Sequence, residues 1–383
     1  MSTRHIYIDA ETKKEMVEEK SVVTPWEVSG TVDYEKLIKE FGTQALDQKQ
    51  LSSQKDAPPL LRRGLYFSHR DFPQWIADAE KKKTVSVVTG RGPSEKMHLG
   101  HLIPFLVAQY LQKRYGCMVY IPLSDDEKFF FKRALTQEQA EAYGEDNILD
   151  IIALGFDQQK TKIFRDFEYT TIYRYAALIA KKTTFSTAKA VFGFQGDTNI
   201  GFIFYPAMQS AHIYLPQFLH GSHRTLVPIA IDQDPYMRIL RDVADGLGFI
   251  KPGAVHAKFL PGLSGNPKMS ASDADNEVIF LTDTPDVVTK KINKYAFSGG
   301  KDTLAEHRAQ GGNPDIDISF LYLKYLFEPE DKALAKIEKD YRSGKLLSGE
   351  LKKILIDKIN IFLKEHQKKK EQAKKLVSKF KLT

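Results

Sequence analysis

Residues 84–123, TVSVVTGRGPSEKMHLGHLIPFLVAQYLQKRYGCMVYIPL, constrain the fold more than any other stretch. TVSVVT (84–89) is β-branched and too short for a helix, so it reads as a strand. GRGPS (90–94) is a turn. KMHLGHLIPFLVAQYLQKRYG (96–116) is a largely apolar helix stopped by Gly116, and CMVYIPL (117–123) is the next strand. SDDEKFF (124–130) then opens on a helix-capping serine. Strand, glycine turn, helix, strand is a βαβ unit, and it commits the chain to a parallel sheet with right-handed crossovers. Pro104 either kinks this helix or lies in its first turn, and the sequence leaves both open.

The pattern returns downstream. TLVPIAI (225–231) is a wholly apolar strand, DQD follows, Pro235 stands where a first helical residue belongs, and the helix runs on to Gly248. The polar, aromatic-rich residues 131–224 between the two units read as helical. Upstream, Ser68 is read as the cap of a short helix passing Trp75 and ending near Lys83. TDTP (282–285) opens another helix, and everything after it reads as helical. The expected class is therefore α/β: a Rossmann-like parallel-sheet catalytic domain at 64–285 with a helical insertion at about 131–224. An appended segment at 1–63 precedes it and an all-helical domain at 286–383 follows.

A hydrophobic content of 42% excludes wholesale disorder. The single cysteine, Cys117, excludes an internal disulfide framework and a Cys-rich zinc site. No metal-ligating constellation is identified. The charged N-terminal stretch has no apolar segment and is not expected to be a secretory signal, and no run reaches the ~18 apolar residues of a membrane span; the expected location is the cytoplasm. The net charge of +7 is uneven. From Leu351 onward eleven lysines face only Asp357, Glu365 and Glu371, which leaves the rest of the chain nearly neutral. A basic tail is either a solvated helix or the half of the molecule that meets an acidic macromolecule. Its Leu351, Leu355, Ile359, Phe362, Leu376, Val377 and Phe380 fall near one face.

In open parallel sheets, ligands bind where strands end and helices begin. Three such ends are legible: Gly90–His101, Ser124–Glu127 and Asp232–Asp234. His98 and His101, three apart, share one helical face. At a helix start they add N–H donors to backbone amides that already favour anions, while Gly100 lets a flat ring approach the backbone. Taken alone, this spacing is equally compatible with two solvated histidines. The loop GNPKMSASD (265–273) carries one cation, Lys268, in a polar stretch unsuited to any core.

An H-x-G-H in the first strand-to-helix turn followed far downstream by Lys-Met-Ser resembles the class I aminoacyl-tRNA synthetases. TGRGPS, MHLGHLIPF, SDDEK, AIDQDPYMR, KMSAS, LTDT and AFSGG, in this order, resemble the eukaryotic-type tryptophanyl-tRNA synthetases over nearly the whole chain from about residue 60. The resemblance implies a tryptophan–tRNA ligase that joins L-tryptophan to ATP and then transfers it to tRNA(Trp). It implies catalytic roles for His98, His101, Lys268, Ser270 and Ser272, and ATP contacts from Gly90, Arg91, Gly92, Gly100, Asp232 and Met269. It further implies tryptophan contacts from Glu127, Gln209 and Gln233, Mg²⁺ bridging the phosphates, and a homodimer. The chain departs from the pattern at Ala271, where the commoner loop carries a second lysine; Arg91 is the expected replacement. It departs again at Val88 and Pro122, where such enzymes place a tyrosine and a glutamine, so either Glu127 reads the indole alone or the ring binds in a shifted pose. Tyrosine activation, a synthetase-derived RNA-binding protein without catalysis, and a cofactor adenylyltransferase are the competing readings. The retained histidines and Lys268 argue against the second, and the basic helical tail against the third.

Overall fold

The structure, a computed structural model, describes residues 33–93, 95–269 and 277–382, together with the backbone of a short ladder between Val22–Val23 and Val28–Ser29. Seven strands form one sheet: β1 (Gln44–Ala45), β2 (Tyr66–Arg70), β3 (Val85–Val88), β4 (Met118–Leu123), β5 (Thr161–Arg165), β6 (Arg224–Ala230) and β7 (Gly253–Ala257). Their spatial order is β1-β2-β7-β6-β3-β4-β5. The five strands from β7 to β5 run parallel, and β1 and β2 add an antiparallel edge. From β3 the chain first moves outward through β4 to β5, then returns to place β6 on the other side of β3. That reversal opens a crevice at the strands' carboxyl ends, where open α/β sheets bind ligands.

Ser68 corrects one expectation. It caps no helix; it is buried in β2, where its hydroxyl lies 3.0 Å from His256 Nδ1. The helix α1 (Phe72–Glu80) starts later, after Asp71 in a left-handed conformation. After β3, a 3₁₀ turn at Leu99–His101 leads into α2 (Leu102–Tyr115), ended by Gly116 at φ 67°. Pro104 lies in the first turn of α2, where its missing N–H has no partner to lose. After β4 comes α3 (Asp125–Phe131), and the stretch 131–224 that follows is mostly helical, with α4 (Gln137–Ala153) and α5 (Ile200–His220) its longest helices. It also contributes the edge strand β5, whose TKIFR pattern is too short and too charged to stand out. Pro235 is the second rather than the first residue of α6 (Asp234–Leu247).

Beyond the sheet, α7 (Pro285–Tyr295) is capped by the Thr284 side chain, as TDTP predicts. The long α8 (Ser348–Ala373) buries Leu351, Leu355 and Ile359 on one side. Part of its basic charge is neutralised against α4: Lys370 Nζ lies 2.8 Å from Asp146 and 2.9 Å from Asp150, and His366 Nε2 2.9 Å from Asp150. The Leu382 N–H donates to the Ile163 carbonyl, so the end of the chain lies beside β5. No helix among the described residues is long and apolar enough to cross a membrane.

Candidate active site

The glycine turn after β3 has no room for side chains. A Cβ on Gly90 would lie 2.2 Å from the Pro122 carbonyl oxygen, and one on Gly92 2.4–2.5 Å from Lys128 Cε and Glu127 Oε2. The turn instead continues the sheet. Arg91 N–H donates to Pro122 O and Ser124 N–H to Arg91 O, so the turn lies flat against the end of β4. The Arg91 guanidinium is buried, which lowers its pKa to about 10; Asp150 and Glu127 oppose that shift, and the group stays charged at neutral pH.

His98 and His101 come together differently from simple helical spacing. His98 is the extended residue that caps the 3₁₀ turn. Its backbone N–H donates to His101 Nδ1 at 3.1 Å, and its own Nδ1 accepts from Gly100 N–H at 3.1 Å. The rings stack with centroids 3.5 Å apart. Burial, reinforced by nearby Arg91, holds His98 at about 3 and His101 well below its ordinary value. Both rings are therefore neutral, and with each Nδ1 accepting, the proton of each sits on Nε2. His98 Nε2 is buried with no partner among the described residues, a donor awaiting an acceptor.

The downstream loop is tied to this histidine turn by backbone pairing. Leu99 N–H donates to Ile279 O, Leu281 N–H to Met97 O, and His98 bridges Phe280 in antiparallel register. Met269 is buried, and its sulfur would lie 3.3 Å from a Cβ on Gly100. Lys268 reaches across to Asp232, Nζ to Oδ2 2.6 Å, and stands over the Phe259 ring. Ser270, Ala271 and Ser272 lie outside the described residues.

Asp232 and Gln233 follow β6 in a 3₁₀ turn. The next residue, Asp234, anchors that turn: Arg70 grips its two oxygens at 2.7 and 2.8 Å, and His256 Nε2 lies 3.2 Å away. Burial alone would raise the Asp234 pKa, but Arg70 and His256 overcome it and hold the group at about 2. The other Asp232 oxygen, Oδ1, is buried without a partner among the described residues.

Glu127, at the start of α3, receives Lys128 Nζ at 3.0 Å, and its other oxygen lies 3.3 Å from the Tyr205 hydroxyl. Tyr205 also donates to Gln209 Oε1 at 2.7 Å. Tyr205, Gln209 and His212 stand at i, i+4 and i+7 of α5, one face of that helix, and all three line the cleft. Sequence reading found Gln209 but missed Tyr205 and His212; the register of YPAMQSAH was the available signal. Asp125, Asp126 and Asp166 cluster beneath this wall, their oxygens within 4.8 Å of one another. Burial pushes Asp126 up to about 9 and Asp166 well above the carboxylate range, so the pair holds a proton between them.

All these groups border one cleft of about 780 Å³. It gathers His98, His101, Lys268, Gly90, Arg91, Gly92, Gly100, Asp232, Met269, Glu127, Gln209 and Gln233 from positions spread over 180 residues of chain. Val88 and Pro122 line it too, and neither side chain forms hydrogen bonds.

Comparison with known proteins accords with this arrangement. The family model for class I tRNA synthetases (W and Y) matches residues 80–364. A tryptophan–tRNA ligase of Sulfolobus acidocaldarius is 48% identical over 365 residues, 94% of each chain. Among solved structures, the tryptophanyl-tRNA synthetase of Giardia lamblia superposes with a TM-score of 0.84 at 37% identity, covering 91% of this chain and 96% of that one. That of Plasmodium falciparum gives 0.83 at 42% identity, covering 91% and 97%.

Proposed function

This chain belongs to the class I tRNA synthetases of the W and Y family, and from that premise we propose how its cleft performs the reaction. The reaction is ATP-driven ligation of tryptophan to tRNA. Tryptophan's carboxylate attacks the α-phosphate, pyrophosphate leaves, and the adenylate then passes its acyl group to a hydroxyl of tRNA(Trp), releasing AMP. Little covalent help is required, so positioning and stabilisation of phosphate charge dominate.

The observation that carries this assignment of roles is the convergence of the histidine turn, the Asp232–Gln233 turn and Lys268 on one cleft. His98 and His101 present neutral Nε2–H donors to the nucleotide. The Gly90–Gly92 turn admits it against bare backbone. Lys268, held by Asp232, exchanges that carboxylate for the triphosphate and follows charge onto the departing pyrophosphate. Buried, charged Arg91 supplies the second cation that Ala271 does not. Ser270 and Ser272 donate to the same phosphates. Glu127, Gln209 and Gln233 hold the amino acid.

The buried Asp232 carboxylate, with one oxygen free of hydrogen bonds among the described residues, is the group that would hold Mg²⁺, which would neutralise phosphate charge. The divisions 1–63, 64–285 and 286–383 serve as appended, catalytic and tRNA-binding units. Within the last, Lys364, Lys368, Lys369, Lys375 and Lys379 are exposed and have no acidic partner among the described residues, which suits them to tRNA phosphates. The protein works as a homodimer in the cytoplasm.

Amino-acid-dependent exchange of pyrophosphate into ATP tests the assignment. Tryptophan is expected to stimulate exchange strongly and tyrosine little. The reverse preference would select tyrosine as substrate, and no exchange with either would select a non-catalytic RNA-binding protein.

A further inference from the structure

The cleft raises a question of chemistry once tryptophan is its substrate. An indole offers one hydrogen-bond donor, its ring N–H, and no acceptor. Burying that N–H in an apolar slot without a partner costs affinity. Two strand positions bordering the slot, Val88 and Pro122, offer no acceptor. The acceptor has to come from another wall.

Most candidate acceptors are already committed. Glu127 is neutralised by Lys128 and approached by the Ser124 and Tyr205 hydroxyls, a charged corner suited to the substrate's ammonium group. The Tyr205 hydroxyl spends its proton on Gln209 within that same corner. Asp232 is engaged by Lys268 at the nucleotide end.

His212 differs from all of these. It is 2% exposed, lies on the cleft-facing side of α5, and belongs to the surroundings of the apolar cluster that contains Val88, Phe164 and Ile213. Its Nε2 meets Asp166 Oδ1 at 2.8 Å on the protein side. Phe164 packs edge-on against the ring, centroids 6.0 Å apart at 64°. Asp166 in turn is hydrogen-bonded to Asp126, which also receives the Tyr173 hydroxyl at 3.2 Å. A carboxylate at Nε2 fixes the proton there and leaves Nδ1 as a lone-pair acceptor, the device by which outer-shell carboxylates orient a working imidazole. No group among the described residues bonds Nδ1. Burial holds the ring at about 4, hence neutral, so Nδ1 keeps its lone pair at physiological pH.

We propose that His212, held in one tautomer by Asp166, is the specificity residue that accepts the indole N–H of tryptophan. The proposal rests on the assignment of tryptophan as the amino-acid substrate. The Asp126–Asp166 pair is then not a metal site but the anchor of the ring: the proton shared by the two acids leaves Asp166 Oδ1 to accept from Nε2–H. Asp166 is accordingly a positioning residue that touches no substrate. Pro216, four residues on, withholds the N–H that would close the helical turn on the His212 carbonyl.

The test compares tryptophan with 3-benzothienylalanine, which replaces the ring N–H by sulfur at nearly the same shape. The readout is the ratio of kcat/KM values in pyrophosphate exchange. Being internal to each protein, the ratio is unaffected by a variant's folded fraction. Wild type is expected to favour tryptophan by about tenfold to a hundredfold. His212→Leu should reduce that preference to within about twofold. His212→Gln, which keeps an acceptor, should retain part of it, and Tyr205→Phe should keep the wild-type ratio. If His212→Leu does not fold, the wild-type ratio and the other two variants decide. A wild-type ratio near one, an undiminished ratio in His212→Leu, or a ratio that collapses in Tyr205→Phe overturns the proposal. Absence of any tryptophan-dependent exchange in wild type removes the substrate assignment itself, a result distinct from exchange that is present but indifferent to the N–H.

Discussion

On the nucleotide side of the cleft, backbone and fixed charge do the holding: a turn with no space for a Cβ at Gly90 or Gly92, a 3₁₀ turn capped by its own histidine, and one lysine on a loop. The amino-acid side is built from single side chains that reach in from α3 and α5 and rest on a buried acidic network. The difference follows from the ligands. A triphosphate presents many equivalent anionic oxygens, which N–H groups and cations satisfy without exact shape. An indole presents one donor on a large apolar body, so recognition falls to one acceptor held at one angle.

The largest expected effect lies on the nucleotide side. Lys268→Ala should lower the rate of adenylate formation by roughly 10²–10³, the usual cost of losing one transition-state donor. Tryptophan binding, measured apart from exchange, should change little, because among the described residues Lys268 meets Asp232 and Phe259 rather than the α3–α5 wall. A wild-type exchange rate would erase the contrast between the two sides, since the loop would then have no catalytic part.

The same contrast explains what the amino-acid sequence reveals. The β3 turn, the histidines and the Lys268 loop are legible because each is a compact run that carries the family resemblance, although the two histidines meet through a 3₁₀ cap rather than on one helical face. The two parallel units and their glycine stops are legible as compact runs too. Strands β2 and β7 are not, since YFSHR and GAVHA have neither clean alternation nor length, and their places are fixed by the sheet neighbours on either side of each. Tyr205 and His212 escape notice because nothing local marks a tyrosine or histidine in an apolar helix as a site residue. Only the packing of α5 against α3 and the end of β5 gives them partners, Glu127 and Asp166. The acidic cluster is split between Asp125–Asp126 and Asp166, joined in space by the pairing of β4 with β5, a strand hidden in a stretch that reads as helical.

A second, smaller effect sharpens the contrast at that cluster. Burial raises the Asp126 pKa to about 9. A carboxyl whose folded pKa lies above its unfolded value of 3.8 contributes stability that is fully present below pH 3.8 and is lost as pH rises toward 9. Asparagine imitates the protonated acid: its amide can donate to Asp166 and its carbonyl can accept from Tyr173. Asp126→Asn should therefore match wild type in acid and exceed it at pH 8, by on the order of 1–3 kcal/mol. Urea unfolding at pH 5 and pH 8 reads the difference. A gain that does not grow with pH would mean that the network carries an ordinary ionised carboxylate, and that the floor of the amino-acid side is as charged as the nucleotide side.

The smallest effect concerns the hydroxyl that joins Glu127 to Gln209. Tyr205→Phe removes the hydrogen bond to Gln209 at 2.7 Å and the hydroxyl's approach to Glu127 at 3.3 Å while preserving the ring, which packs edge-on against Tyr236. Losing one neutral hydrogen bond costs about 1 kcal/mol. With Glu127 still held by Lys128, the change should appear as a roughly fivefold higher KM for tryptophan, with kcat and the KM for ATP nearly unchanged. The ATP value is the control that separates this role from general loosening: a weakened fold would raise both KM values, whereas loss of a bond confined to the amino-acid corner moves one. Equal increases in both would mean that the two walls are coupled through α3, whose first turn supports Glu127 and, through Lys128, crowds Gly92 of the nucleotide turn.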